Sequence, residues 1–121
     1  MVAKVTIMES FGQKLRELRR SKGISQRDLA EQVGVDFSYI SKVENDRLPP
    51  PAGDTIVKIC EVLGVSPDEL LASTGKMPTD VKEMLSTSTA AQHFVRQAHN
   101  MNLSEDEWRT LTKRLRRLRS E

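Results

Sequence analysis

The sequence is poor in cysteine, in aromatic residues and in long apolar runs, and each shortage excludes a class of protein. Its one cysteine, Cys60, cannot form an intramolecular disulfide and is expected to be a small buried apolar residue in a cytosolic protein. Aromatic residues make up 4% of the chain, so the core must be mainly aliphatic. No run approaches the roughly 18 apolar residues of a membrane helix, and the first ten residues lack the apolar core of a signal peptide. These shortages predict a cytoplasmic protein that does not associate with membranes.

Residues that could carry catalysis or hold a metal are also scarce. The two histidines, His93 and His99, are six residues apart, so on one helix they face different directions, and no cysteine or acidic residue completes a metal site with them. The sequence has no glycine-rich phosphate loop and no nucleophile elbow. We therefore expect no enzymatic activity, no metal site and no cofactor.

Positive and negative charges are nearly balanced along the chain. Residues 1–75 carry 10 Lys/Arg and 11 Asp/Glu, a net charge of −1, and residues 76–121 carry 9 and 6, a net charge of +3. These numbers are too small to indicate a nucleic-acid partner by themselves. Between Lys14 and Arg27, however, six basic residues stand against the single acid Glu17. A local basic patch of this kind is what contact with DNA phosphates requires.

The most informative stretch is residues 24–47, ISQRDLAEQVGVDFSYISKVENDR, which predicts two short helices joined by a tight turn. Ser25 can cap the first helix, and Asp36 can cap the second. Gly34 stands where a helix ends in a left-handed residue, a conformation that glycine adopts cheaply. A helix pair of this kind is a helix-turn-helix, whose second helix fits the major groove of DNA.

Six residues at fixed spacing in this stretch carry a resemblance to a known family: Gln26, Ala30, Gly34, Val35, Ile40 and Glu44. The chain resembles the Xre or phage Cro/C1-repressor type of helix-turn-helix regulator as far as Leu71, a little over half of its length. The resemblance implies an all-α fold with a five-helix, lambda-repressor-like DNA-binding domain. It also implies a structural ion pair between Arg19 and Glu44.

Nine residues are expected to contact DNA, and four of them are assigned to the base edges by matching the family pattern position by position. The outer face of the recognition helix, residues 36–45, is expected to bring four residues to the base edges: Phe37, Ser38, Ser41 and Lys42. Lys42 suits the O6 and N7 atoms of guanine, and Phe37 can touch a thymine methyl group. The expected backbone contacts are Gln26 and Arg27, at the start of the preceding helix, and in second rank Tyr39, Asn45 and Arg47. Tyr39 could equally be a half-buried packing residue.

Composition predicts four segments. These are an N-terminal arm at residues 1–9, the DNA-binding domain at 10–73 with its helix-turn-helix at about 25–45, a linker at 74–78, and a helical oligomerisation or regulatory tail at 79–121.

The tail ends in a strongly patterned helix that begins with a capping box formed by Ser104 and Glu107. Its apolar residues repeat at the spacing of a packing seam, and together with one residue of the preceding helix they are the expected dimerisation residues: Phe94, Trp108, Leu111, Leu115 and Leu118. A tail of about 45 residues cannot bury a large core alone, so we expect it to form a short helical dimerisation region by pairing with a second copy. The alternative is that the seam packs on helices four and five of its own chain.

These features predict a sequence-specific DNA-binding transcriptional regulator, and specifically a repressor that binds a palindromic operator on double-stranded DNA as a homodimer. The rival hypothesis is a protein-interaction module with a regulatory protein partner bound at the tail. Such a module would be an antitoxin, or a repressor inactivated by a partner metallopeptidase of the ImmA/IrrE kind. The proline-rich segment Leu48–Pro51 and the helical tail resemble the second type loosely in layout.

Overall fold

The computed structural model describes residues 9–120, and this part of the chain is helical throughout, with turns between the helices. The helices are α1 Phe11–Ser21, α2 Gln26–Val33, α3 Phe37–Glu44, α4 Gly53–Leu63, α5 Asp68–Thr74, α6 Thr79–Thr87, α7 Thr89–Met101 and α8 Glu105–Arg117. The predicted all-α fold is confirmed. Residues 1–8 of the predicted N-terminal arm lie outside the described residues. Within residues 9–120, no helix combines the length and the apolar character that a membrane crossing needs.

The chain divides into two compact units, Met1–Val81 and Lys82–Glu121, and the division falls within α6. Residues 74–78, which the sequence predicts as a linker, lie in the first unit. Met77, in this segment, packs directly on Gly53 at the start of α4, so closely that a Cβ atom on Gly53 would collide with the Met77 backbone. Thr79 donates hydrogen bonds from its backbone N–H and its hydroxyl to the two carboxylate oxygens of Asp54, at 2.8 and 2.6 Å. These contacts join the start of α6 to the start of α4.

Aliphatic side chains from four helices form the main core of the first unit. This cluster consists of Leu15, Leu29, Ala30, Val33, Ile40, Val43, Ile59 and Leu63. A second, smaller cluster consists of Ile56, Cys60 and Leu70. Cys60 is fully buried, as predicted, and its burial raises the pKa of its thiol. The helix-turn-helix is therefore packed on a core that α1 and α4 help to build.

The local signals of the helix-turn-helix are largely as predicted. The Ser25 hydroxyl accepts the backbone N–H of Asp28 at 3.0 Å, and Gly34 ends α2 with φ 89°. The prediction for Asp36 is wrong in one respect. Asp36 occupies the cap position of α3, but its side chain makes no capping hydrogen bond. The backbone carbonyl of Asp36 accepts the N–H of Tyr39 at 3.0 Å, which is the ordinary first hydrogen bond of a helix.

The second unit has well-capped helices but almost no buried interior. The capping box predicted for α8 is present, with Ser104 accepting from Glu107 at 3.1 Å and Glu107 accepting from Ser104 at 2.9 Å. Asn102, with φ 52°, ends α7. Among residues 82–120, Ala98 alone is buried. The apolar side chains of this unit therefore remain largely on its surface.

Candidate DNA-binding surface

A buried ion pair fixes α3 to α1. The Arg19 guanidinium donates to Glu44 through Nε at 2.6 Å and through Nη2 at 3.0 Å. Arg19 also donates to the backbone carbonyl of Ile24 at 2.9 Å, so it spans α1, the following turn and α3. Glu44 is 1% exposed and Arg19 is 8% exposed. The pair that the family resemblance implies is thus present, and it anchors the last residue of the recognition helix.

Glu44 receives more hydrogen bonds than the family pattern implies. The side-chain amide of Gln26 donates to Oε1 of Glu44 at 2.8 Å, and Nε of Arg16 donates to the same oxygen at 3.4 Å. Burial alone would raise the pKa of Glu44, but the hydrogen bonds from Arg19, Gln26 and Arg16 and the charge of Arg19 lower it below its ordinary value. Glu44 is therefore held as a carboxylate at neutral pH. One amide hydrogen of Gln26, a predicted backbone contact, is committed to this network.

Arg16 is one of the six basic residues between Lys14 and Arg27, but it was not among the nine predicted DNA contacts. Its guanidinium donates to the Asn45 side-chain oxygen at 2.6 Å and to the backbone carbonyl of Glu44 at 3.4 Å. Asn45 in turn donates its side-chain amide to the carbonyl of Ser41 at 2.9 Å. A cation placed against the last carbonyls of a helix stabilises its C-terminal end. Arg16 therefore holds the end of α3, and the predicted phosphate contact Asn45 already has two intramolecular partners.

Two close backbone contacts determine how α1 approaches the end of α3. A Cβ atom on Gly12 would collide with the backbone carbonyls of Val43 and Glu44. The N–H of Gly12 donates to the carboxylate of Asp46 at 3.3 Å. Asp46 has φ 59°, a left-handed conformation that aspartate adopts more readily than most residues. The missing side chain of Gly12 is therefore what allows α1 to lie directly against the recognition helix.

The residues predicted to reach base edges lie on the outer face of α3. Phe37, Ser38 and Lys42 are exposed, and Ser41 is half-buried. The opposite side of the helix carries Ile40 and Val43, which are both in the core. Tyr39 is half-buried against that core, and its burial raises the pKa of its phenol. This location favours the packing role for Tyr39 over phosphate contact.

The predicted backbone contacts outside α3 are arranged around its two ends. Arg27, in the first turn of α2, places its guanidinium carbon 4.9 Å from the centroid of the Phe37 ring. Arg47, just beyond α3, is exposed, and its backbone N–H donates to the carbonyl of Lys42 at 2.8 Å. A predicted base contact and a predicted phosphate contact thus touch one another.

The predicted dimerisation residues line one groove of the second unit. Trp108 is 41% exposed, Phe94 53%, Leu115 64% and Leu118 73%, and Leu111 is half-buried. All five line a groove of about 370 Å³ together with Thr112 and Arg114. These exposed apolar side chains form a continuous patch, and its contact with water is unfavourable in free energy.

The family model described as Helix-turn-helix matches residues 15–70. The transcriptional regulator SinR of Bacillus subtilis (strain 168) is 32% identical over 99 residues, which span 82% of this chain and 86% of SinR. This chain belongs to the Xre-type family of helix-turn-helix transcriptional regulators. The prediction of a helix-turn-helix transcriptional regulator is therefore confirmed at the level of the family.

Two solved structures have a TM-score of 0.50 to this chain. One is the complex of SinR protein with SinI protein, which is 26% identical and covers 93% of this chain and 100% of the other. The second is the DNA-binding domain of the P22 c2 repressor, which is 30% identical and covers 55% of this chain and 86% of the repressor domain. The chain spans about half the length, 57% and 50%, of two further curated HTH-type regulators of Bacillus subtilis.

Proposed function

We propose that the protein is a transcriptional repressor that binds a palindromic operator as a homodimer. The observation that carries this proposal is the construction of α3, whose inner face is buried in the core while Phe37, Ser38 and Lys42 stand exposed. A recognition helix held in this way presents side chains to the major groove with little conformational freedom left to lose. The proposal requires access to the chromosome, in keeping with the predicted cytoplasmic location.

The homodimer follows from the reach of one recognition helix and from the exposed tail. One helix reads only a few base pairs, and two helices related by a two-fold axis read half-sites about 34 Å apart. The groove lined by Phe94, Trp108 and Leu115 supplies the apolar surface that a second copy would cover.

The experiment that tests the proposal is selection of bound duplexes from a random pool by the purified protein. We expect an enriched sequence with two inverted half-sites whose centres are about 10 base pairs apart or a multiple of that spacing. Failure to enrich any sequence over random duplex would overturn the proposed function. Enrichment of a single half-site would still support sequence-specific DNA binding but would contradict the palindromic operator.

Two alanine variants test the assigned roles on the enriched duplex. Lys42→Ala should cost about 1–3 kcal/mol and relax the preference at one base pair, because Lys42 is assigned to a base edge. Arg27→Ala should reduce the salt dependence of binding by about one unit of slope, because Arg27 is assigned to a phosphate. Lys58→Ala, which removes an exposed lysine of α4, is the matched control and should leave both quantities unchanged. Equal losses for both variants on specific and random duplex would contradict the assignment.

The dimer is tested by sedimentation of the full chain over a range of concentrations. Trp108→Ala should weaken self-association at least tenfold, since it removes the largest side chain of the groove. Lys113→Ala, on an exposed position of the same helix, is the control. A native protein that stays monomeric at high concentration would overturn the homodimer and favour a seam that packs on its own chain.

The second candidate function is a regulator whose tail binds a different protein. The observation that favours it is the same exposed groove, together with a related solved structure in which SinR is joined to SinI. An antitoxin or a repressor under a partner metallopeptidase would use the tail in this way. A monomeric native protein that is recovered with one stoichiometric protein partner, and whose Trp108→Ala variant loses it, would favour this candidate.

A further inference from the structure

Phe37 is a large aromatic residue that the core does not use. It is the first residue of α3 and 42% exposed, and it belongs to neither buried cluster nor to the side chains packed on them. Its neighbours on the outer face of the helix are polar, namely Ser38, Ser41 and Lys42. A ring that is 42% exposed at the start of α3 is placed where it can contact a ligand bound at this surface.

Arg27, on the neighbouring helix, contacts that ring. Its guanidinium carbon lies over the ring at 4.9 Å from the centroid, within the range of a cation–π contact. Arg27 is in the first turn of α2 and Phe37 begins α3, so the contact joins the N-terminal ends of both helices of the helix-turn-helix. Arginine covers one face of the ring, and the rest of the exposed ring remains available to a ligand.

In the major groove of DNA, the C5-methyl group is the apolar feature of the base edges. We propose that Arg27 and Phe37 form one specificity site for the C5-methyl group of a pyrimidine, either thymine or 5-methylcytosine. The inference rests on the proposed operator binding and deepens it. Phe37 supplies an apolar surface for the methyl group, and Arg27 fixes the ring while its charge faces the adjacent phosphates. Arg27 is thereby a positioning residue for base recognition as well as a backbone contact.

The test uses the duplex enriched from the random pool, with each thymine in turn replaced by deoxyuridine, which lacks only the C5-methyl group. We expect one position in each half-site at which this replacement lowers affinity about fourfold, the value for one buried methyl group. A duplex carrying cytosine at that position should bind more tightly when the cytosine is 5-methylated. Fluorescence anisotropy at a fixed salt concentration measures all of these affinities.

Three variants locate the effect on the protein. Phe37→Ala should bind the thymine and deoxyuridine duplexes equally, and it should fold normally because Phe37 is outside the core. Arg27→Lys keeps the charge but loses the planar stacking group, so it should keep the salt slope and reduce the thymine preference. Lys42→Ala, which is assigned to a different base, should keep the full fourfold difference. Thermal unfolding of each variant checks that the fold is intact.

The outcomes separate this inference from the proposed function. If a specific duplex is enriched but no position in it is sensitive to loss of the methyl group, the Arg27–Phe37 site is overturned and the proposed operator binding is not. A methyl-sensitive position whose effect persists in Phe37→Ala would also overturn the site. A failure to enrich any duplex would overturn both.

Discussion

The two units of this protein use the same local signals and end with opposite degrees of burial. In the first unit, Leu15, Leu29 and Ile40 are fully buried in a core that four helices share. In the second unit, α8 has a complete capping box and a regular apolar seam, yet none of its described residues is buried. Capping and periodicity therefore determine that a helix forms and which face is apolar. They do not determine what covers that face.

Charge pairs show the same contrast. Arg19 and Glu44 are buried and bonded through two nitrogens, at 2.6 and 3.0 Å. Arg109 and Asp106, on α8, form a single contact of 3.0 Å with side chains that are 69% and 94% exposed. Both are Arg–carboxylate pairs, but loss of one partner leaves an uncompensated charge in the interior only in the first case. Burial, more than the chemical identity of the partners, therefore determines how much each pair contributes to the free energy of unfolding.

The largest expected effect breaks the buried pair. Arg19→Ala should lower the free energy of unfolding by about 3–5 kcal/mol, because Glu44 would remain buried without its main partner. Arg109→Ala is the matched control and should change it by no more than about 0.5 kcal/mol, because the exposed pair is screened by solvent. Urea unfolding followed by circular dichroism measures both. Equal effects of the two substitutions would contradict the distinction between the pairs.

A smaller effect of the same pair appears as a dependence on pH. The pKa of Glu44 is lowered in the folded state, so its contribution to stability is present above the ordinary pKa near 4.5 and is lost as pH falls through the lower folded value. The stability difference between the native protein and Glu44→Gln should therefore narrow as the pH is taken from 7 to 3. Urea midpoints at several pH values measure it. A difference that stays constant across this range would show that ionisation of Glu44 does not contribute.

Features that depend on neighbours in sequence were predictable. The Ser25 and Ser104 caps and the left-handed Gly34 all follow from interactions within about four residues, so a local pattern contains the necessary information. The outer face of α3 follows from helical periodicity in the same way. The Asp36 side chain shows the limit of such reasoning, because its position at the cap was predicted correctly and its hydrogen bond was not.

Features that depend on distant residues were not predictable from pattern alone. Arg16 meets Asn45 across 29 positions, and Gly12 lies against carbonyls of Val43 and Glu44 because α1 and α3 cross there. The Arg19–Glu44 pair has the same long-range character, and it was anticipated only through the family resemblance. The nine assigned DNA contacts remain predictions, because each of them is a contact between this protein and a DNA duplex.

The close crossing of α1 and α3 gives the third prediction. Gly12→Ala would gain up to about 1 kcal/mol of helix propensity but would place its methyl group in contact with two backbone carbonyls. Overpacking against backbone costs about 1–3 kcal/mol, so we expect a net loss of stability. Glu17→Ala, at an exposed position of the same helix, should be close to neutral. A Gly12→Ala variant that is more stable than the native protein would show that α1 can shift without consequence.

The smallest expected effects compare one cap from each unit. Ser25→Ala and Ser104→Ala each remove a hydroxyl that accepts a first-turn N–H, at 3.0 and 3.1 Å, and each should cost about 1 kcal/mol locally. Ser25 caps a helix of the shared core, so its loss should lower the unfolding midpoint of the whole first unit. Ser104 caps a helix without buried residues, so its loss should lower helical content and weaken association through the α8 groove. Circular dichroism and sedimentation separate the two results. A Ser104→Ala variant that lowers the midpoint of the first unit as much as Ser25→Ala does would mean that the two units unfold as one.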